Sequence, residues 1–404
     1  MSTRPFHCSF TRCHAMNAFE FSSVVKIIFG RGKIAQLGGI ARGLGTAALM
    51  IHNGDDPGNS GPVDRAVASL QSTGIRVCFQ RQRGEPTIGD VDAALAVARQ
   101  NQCDLVIGLG GGSAIDTAKA TAGLMTNGGQ CLDYMEVIGK GQTISKPAMP
   151  WIAVPTTAGT GAEVTKNAVI ASPEHKLKVS IRSEHLLAEV ALVDPDLGEN
   201  TPQEVRAASG MDALCQLIES FTSNGSNTMT DALAMRALEM AIGFKTEMDP
   251  EKETDHRERM AYAALVSGWT LANAGLGAVH GFAAPIGANF PIPHGVICAR
   301  LLPFVVEANM KSLLLTRSNE HALKGYLWLN QTVPPIYSRS SEMAVVNYLH
   351  DMINDLRVRP LSQYGIQEKD IPGMVALAKK TSSMKYNPVV LADDVLANIL
   401  RSAL

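Results

Sequence analysis

The sequence predicts an α/β dinucleotide-binding domain followed by an all-α domain, and three features carry that prediction. Up to about residue 200, short apolar or β-branched runs alternate with helical stretches, the pattern of a parallel sheet covered by helices. One such run, residues 104–120 (DLVIGLGGGSAIDTAKA), passes from a strand through glycines directly into a helix. Beyond Pro202 the alternation stops and helical periodicity takes over. The boundary is therefore placed near residue 200, with residues 1–15 as an extension outside the fold, 16–200 as the α/β unit and 201–404 as the helical unit. At 404 residues, two cores are the expectation for a single chain.

In chain order, residues 21–45 read as a β-branched strand, a turn over Gly30 and Gly32, and a short helix. AALMIHNG (47–54) is a buried strand, and VDRAVASLQSTG has helical periodicity. IRVCFQ is a further strand, GEPTIGD supplies a helix N-cap, and VDAALAVARQNQ is the helix that follows. WIAVP, at 151–155, leads into a loop rich in threonine and glycine, after which VTKNAVI and HKLKVSI form a hairpin and VALVDPDL a last strand. The helical half reads as helices over 203–222, 228–247, 255–275, 294–310 and 342–356. The 313–340 region is poorly patterned and receives no assignment.

The composition excludes several classes of function. The chain is 46% hydrophobic and 18% charged with a formal net charge of -2, so there is no basic footprint for nucleic acid and no charge run for a membrane surface. No segment approaches the ~20 apolar residues that span a bilayer. The seven cysteines are scattered without a CxxC pair, which points to free thiols in a reducing, cytoplasmic setting. Residues 1–15 are basic and acid-free, but short and weakly amphipathic for a transit peptide.

Two regions carry chemistry. Gly110, Gly111 and Gly112 let the backbone approach a pyrophosphate, whose charge the N–H groups of the helix starting near Ser113 would meet. The second piece, PTTAGTGAE at 155–163, gathers Thr156, Thr157 and Thr160 in one loop. Glycine turns formed for packing explain either piece alone equally well; together, each at the C-terminal end of a parallel strand, they define a ligand crevice. The strand that selects between nicotinamide cofactors ends in His52-Asn53-Gly54, so Asn53 leaves NAD and NADP both open.

The other region is residues 275–300, GLGAVHGFAAPIGANFPIPHGVICAR, where His280 and His294 stand in an almost uncharged setting. Upstream, Asp212 and Gln216 fall four residues apart on one helix face. A carboxylate, an amide oxygen and two imidazoles make a set for one divalent ion. Satisfied core histidines and a capping aspartate account equally for the same residues, because D-x-x-x-Q is not a metal signature.

Taken together, the landmarks FGRG (29–32), GGGSAIDTAKA (110–120), PTTAGTGAEVT (155–165), GMDAL (210–214) and GLGAVHGFAAPIG through PHG (275–295) resemble the iron-containing (group III) alcohol dehydrogenase family over nearly the whole chain from about residue 18. The resemblance implies a dehydroquinate synthase-like architecture, with a catalytic cleft between an α/β and a helical domain. It implies a small alcohol or aldehyde substrate, NAD or NADP, a divalent metal (Fe2+ or Zn2+), and a homodimer or larger assembly. By the same resemblance Gly111, Gly112 and Ser113 hold the pyrophosphate and Asp116 lies near the nicotinamide. Thr156, Thr157 and Thr160 touch phosphate and ribose, and Lys178 meets a ribose. Asp212, His280 and His294 match three of the family's four metal ligands and are the catalytic set. The fourth, a histidine, is Gln216 here, and a further family histidine near the nicotinamide is Ala284. These departures keep two alternatives open: a metal-free reductase resembling maleylacetate reductase, and a lyase resembling dehydroquinate synthase. The substrate pocket is expected to involve the apolar side chains of Phe282, Phe290 and Ile292.

Overall fold

The computed structural model describes residues 18–23, 26–54, 58, 61–243, 250–338 and 342–404. The extension at 1–15, Asp55 and Asp56 lie outside the described residues. The first half supplies strands β1 (Lys26–Phe29), β2 (Ala47–His52), β3 (Arg76–Arg81), β4 (Leu105–Gly110), β5 (Trp151–Pro155), β6 (Asn167–Ser172), β7 (Leu177–Arg182) and β8 (Val190–Val193). Between them run helices α1 (Leu37–Arg42), α2 (Pro62–Gln71), α3 (Ile88–Gln100), α4 (Gly112–Asn127) and the short α5 (Cys131–Tyr134).

Six strands form one parallel sheet in the order β1-β8-β5-β4-β2-β3. Successive side chains of a strand point to opposite faces, and the two faces have separate cores. Leu49, Ile51 and Val106 pack with α3 and α4 residues such as Ala94 and Ala118, while Ala48, Met50 and Ile107 pack with Leu37, Ala66 and Leu70. The central strands β2, β4 and β5 are buried along their whole length, which is why they read as continuous apolar runs without alternation. Register places His52 beside Leu109 and Gly110 beside Pro155. The three strands that carry Asn53, Gly111 and Thr156 therefore end side by side. The expected hairpin is the separate antiparallel pair β6–β7.

From Gln203 on, the described elements are helical: α6 (Gln203–Thr222), α7 (Thr228–Ala241), α8 (Pro250–Ala274), α9 (Ala278–Asn289), α10 (His294–Thr316), α11 (Glu320–Thr332), the single turn α12 (Pro335–Ser338), α13 (Ala344–Asp355), α14 (Ile371–Ala378) and α15 (Asp393–Ala403). They enclose one continuous apolar core. α9 and α11 correct the sequence reading, which left both stretches without a helix. Residues 278–286 of α9 are almost all buried, so no polar face marks its period, and Pro285 lies inside it; helices buried all round lose the amphipathic signal. Phe282 is also corrected: it is fully buried in this core, and Ile292 is buried in the same core, leaving Phe290 as the partly exposed member of the three.

Lys119 on α4 ties the hairpin to the sheet. It is wholly buried, and its Nζ donates to the Ala162 carbonyl (2.8 Å), Thr165 Oγ1 (2.8 Å) and the Asn167 carbonyl (2.7 Å), with Asp116 Oδ1 at 3.3 Å. Asp116 accepts the Val169 N–H at 3.0 Å with its other oxygen. Burial lowers the Lys119 pKa and raises that of Asp116, and their mutual attraction opposes both shifts. Removing one partner of such a buried pair costs about 3–5 kcal/mol. Lys119→Met is predicted to lose that much in urea denaturation, and a loss below 1 kcal/mol would show that the pair does not hold the hairpin.

Candidate metal centre and nucleotide crevice

The nucleotide side is built at the C-terminal edge of the sheet. The chain order reverses between β2 and β4, the switch point where α/β sheets open a ligand crevice. Asn53 Oδ1 accepts the Gly111 N–H at 3.2 Å, and a Cβ on Gly110 would fall 2.1 Å from that oxygen. Cβ atoms on Gly111 and Gly112 would meet Thr157 Oγ1 at 3.1 Å and Thr160 Cγ2 at 2.8 Å. The glycine triplet is thus required by the close approach of β2 and the threonine loop. The same approach leaves the first-turn N–H groups of Gly112 and Ser113, which have no acceptor within their own helix, at the crevice. Thr156 donates its N–H to the Gly110 carbonyl at 2.9 Å. Lys178, on β7, forms an ion pair with Glu85 at 3.4 Å and abuts α9 at Gly287. Asp116 is buried under the hairpin, occupied by Lys119 and Val169.

The threonine loop then meets the helical half. A Cβ on Gly159 would strike Ser209 of α6 at 2.7 Å, and one on Gly161 would lie 2.4 Å from the Gly268 nitrogen of α8. Gly161 also holds φ +60°, a left-handed conformation that glycine adopts without a steric cost. A cavity of about 100 Å³ opens behind this loop, between Thr156, Thr157, Glu163, Thr201, Arg206 and Ser209. Burial raises the Glu163 carboxyl to about 7, against the opposing pull of its backbone hydrogen bond and Lys119.

On the metal side, α6 carries Asp212 and, one turn on, Gln216. α9 brings His280, and the first turn of α10 brings His294 with Cys298 four residues later. Asp212 Oδ1 lies 3.3 Å from His280 Nε2 and 3.5 Å from His294 Nε2. Cys298 Sγ stands 3.7 Å and 3.6 Å from the same two nitrogens. All four donors lie within 4.8 Å of one another, and His294 alone among them is partly exposed. Although His280 approaches it, Asp212 Oδ1 accepts no hydrogen bond among the described residues. A buried carboxylate oxygen without a donor is costly unless a cation faces it, so the donor set fits a divalent ion.

Burial opposes charge on every member of the cluster and raises Asp212. At the other three, attraction within the cluster outweighs it. Cys298 and Asp212 raise His280 well above its ordinary value and His294 to about 9, while Cys215 and the two imidazoles hold the Cys298 thiol well below its usual range. Ligating imidazole and thiol must shed their protons, so an ion bound here takes the place of those charges.

Three residues beyond the expected set shape the centre. Glu219 Oε2 pairs with His280 Nδ1 at 2.6 Å while its Oε1 accepts the Val279 N–H at 2.7 Å. That fixes the Nδ1–H tautomer and leaves the Nε2 lone pair facing Asp212. Ser267 donates to Gln216 Oε1 at 2.7 Å, and Gln216 Nε2 donates to Asp212 Oδ2 at 3.1 Å. The amide oxygen expected as a ligand is thus engaged by a hydroxyl, and the amide nitrogen positions the carboxylate. Cys298 is the third. Helical spacing is the signal that could have found two of them: Glu219 lies seven residues after Asp212 and Cys298 four after His294.

A parallel-sheet crevice with a glycine turn at a helix N-terminus, linked through the threonine loop to the helix that carries a buried set of transition-metal donors, suits a metal-assisted, nucleotide-dependent enzyme. Residues 25–195 match the family model described as iron-containing alcohol dehydrogenase, and residues 206–404 match that of the C-terminal region of the Fe-containing alcohol dehydrogenase family. The chain belongs to the iron-containing alcohol dehydrogenase family. It is 32% identical to alcohol dehydrogenase 4 of Schizosaccharomyces pombe over 93% of this chain and 87% of that one. It is also 32% identical to 1,3-propanediol dehydrogenase of Klebsiella pneumoniae, over 93% and 96%. A crystal structure of a 1,3-propanediol oxidoreductase superposes with a TM-score of 0.86 at 30% identity, covering 96% of this chain and all of the other. The chain is accordingly an NAD(P)-dependent enzyme that interconverts alcohols and carbonyl compounds with a divalent metal.

Two outcomes follow from this geometry. Glu219→Gln is expected to lower affinity for the divalent ion roughly 10–100-fold, read by chelator competition; unchanged affinity would remove Glu219 from the centre. Glu163 binds its proton more tightly folded than unfolded, so the folded state gains protons between about pH 4.5 and 7 and stability falls as pH rises through that window. Glu163→Gln should therefore be more stable than wild type at pH 8, by on the order of 3 kcal/mol, with the gap shrinking toward pH 4.5. Denaturant midpoints that stay parallel across pH would contradict this.

Proposed function

We propose that this enzyme oxidises a small, uncharged alcohol or reduces the matching aldehyde, with Asp212, His280 and His294 holding the ion at the reacting oxygen. The single observation that carries the proposal is the buried Asp212 oxygen, without a hydrogen bond among the described residues and faced by two imidazole nitrogens. When bound, the ion supplies Lewis-acid polarisation of the carbonyl oxygen, and the nicotinamide supplies or accepts the hydride.

The chain's own residues set the geometry for that exchange. Asp212 contributes negative charge, Gln216 holds it in place, and Glu219 orients His280. Gly111, Gly112 and Ser113 receive the cofactor's pyrophosphate at the N-terminus of α4, with Thr156, Thr157 and Thr160 on its phosphate and ribose groups. Asn53 at the end of β2 offers an amide, neither acid nor base, to the adenosine ribose, which is compatible with NAD and NADP. Lys178 approaches from the hairpin side, while Asp116, on α4 beneath the hairpin, acts through its hold on Lys119 and Val169. Ala284 carries no ionisable group, so with the cofactor bound the proton would be exchanged with water or with a ribose hydroxyl.

No described helix is long and apolar enough to cross a membrane, and the described cysteines are free thiols, which supports a cytoplasmic setting. A homodimer or larger assembly is carried by family membership. For Asp212→Ala we expect turnover to fall at least about 10³-fold, since a Lewis acid contributes several kcal/mol. NAD(P)H binding by fluorescence should change little. Turnover near wild type would sink the metal mechanism, and an absence of net NAD(P)H consumption with any small aldehyde would favour a lyase.

A further inference from the structure

We infer that Cys298 supplies the fourth protein ligand of the ion, giving an Asp212–His280–His294–Cys298 centre whose soft donor selects zinc over iron. The inference rests on the metal reading above and deepens it. A tetrahedral ion with bonds of about 2.1 Å to nitrogen and oxygen and about 2.3 Å to sulfur separates N from O by roughly 3.4 Å and S from N by roughly 3.6 Å. The protein places its N···O edges at 3.3 and 3.5 Å and its S···N edges at 3.7 and 3.6 Å. Four side chains from three helices thus match four of the six edges of a zinc tetrahedron, and all four donors lie within 4.8 Å of one another.

The competing donors are excluded by their own contacts. Gln216 presents its nitrogen to Asp212 and its oxygen to the Ser267 hydroxyl; flipping the amide would set its oxygen against the Asp212 carboxylate. The neighbouring group of Cys215, Glu219 and His280 has its carboxylate 2.6 Å from Nδ1, a hydrogen-bond length too short for the edge of a coordination tetrahedron. Cys298, by contrast, lies on the same face of α10 as His294 and touches both imidazoles on their Nε2 side. Thiolate and imidazole suit zinc, and a given site binds zinc more tightly than ferrous iron.

The test is X-ray absorption at the metal edge of the enzyme as purified, with the cobalt-substituted enzyme and two variants beside it. We expect zinc with one sulfur neighbour at about 2.3 Å and a thiolate-to-cobalt charge-transfer band. Cys298→Ser should lose the band and weaken zinc binding by more than the roughly 10–100-fold typical of a lost outer-shell partner. Gln216→Ala should keep both band and sulfur neighbour. A metal shell of nitrogen and oxygen alone in the wild type overturns the Cys298 assignment while leaving the metal mechanism standing. Wild type that retains no divalent metal overturns both. The wild-type spectrum decides the question even where Cys298→Ser fails to fold.

Discussion

The structure depends on a carboxylate held where water does not reach it. Asp212 sits mid-way along α6, 2% exposed, inside the apolar core of the helical half. An unpaired charge in such a place is costly enough that it neutralises or acquires a partner. The surroundings answer that demand in layers. Gln216 satisfies one carboxylate oxygen, and the imidazoles and the thiol converge on the other without donating to it. Glu219, on the same face of α6, turns His280 so that its lone pair points inward.

The same helix joins the centre to the cofactor crevice. Gly159 rests on Ser209 three residues before Asp212, and Gly161 rests on Gly268 of α8, next to the Ser267 that bonds Gln216. The loop from Thr156 to Gly161 therefore packs on one side against the glycine turn of α4 and on the other against α6, which carries Asp212, and α8, which carries Ser267. A side chain at Gly159 would strike Ser209, and one at Gly161 would strike the α8 backbone. Lys119 fastens the next stretch of that chain to α4, so the loop is anchored at both ends. Hydride and oxygen chemistry need their two sites held in fixed relation, and this close backbone packing provides it.

Much of this was legible in the sequence. Continuous apolar runs closed by glycines announced buried parallel strands, because a strand covered on both faces needs no polar alternation. The turn at Gly110–Gly112 and the threonine loop were visible as pieces, and Asp212, His280 and His294 as polar residues without local partners. α9 was not legible, since burial on every side erases the helical period, and Pro285 argues locally against a helix that tertiary packing nonetheless supports.

What the sequence determined by itself was the order of the elements in the α/β half, the two kinds of core and three members of the candidate metal set, because those follow from periodicity and from residue chemistry at short range. Tertiary structure alone decided which donors meet. His294 and Cys298 come from one helix, His280 from a second and Asp212 from a third, and their separations are set by how those helices cross. The same crossings turned Gln216 toward Ser267 and brought His280 of α9 to the Cys298 thiol, meetings between helices that no spacing along the chain encodes.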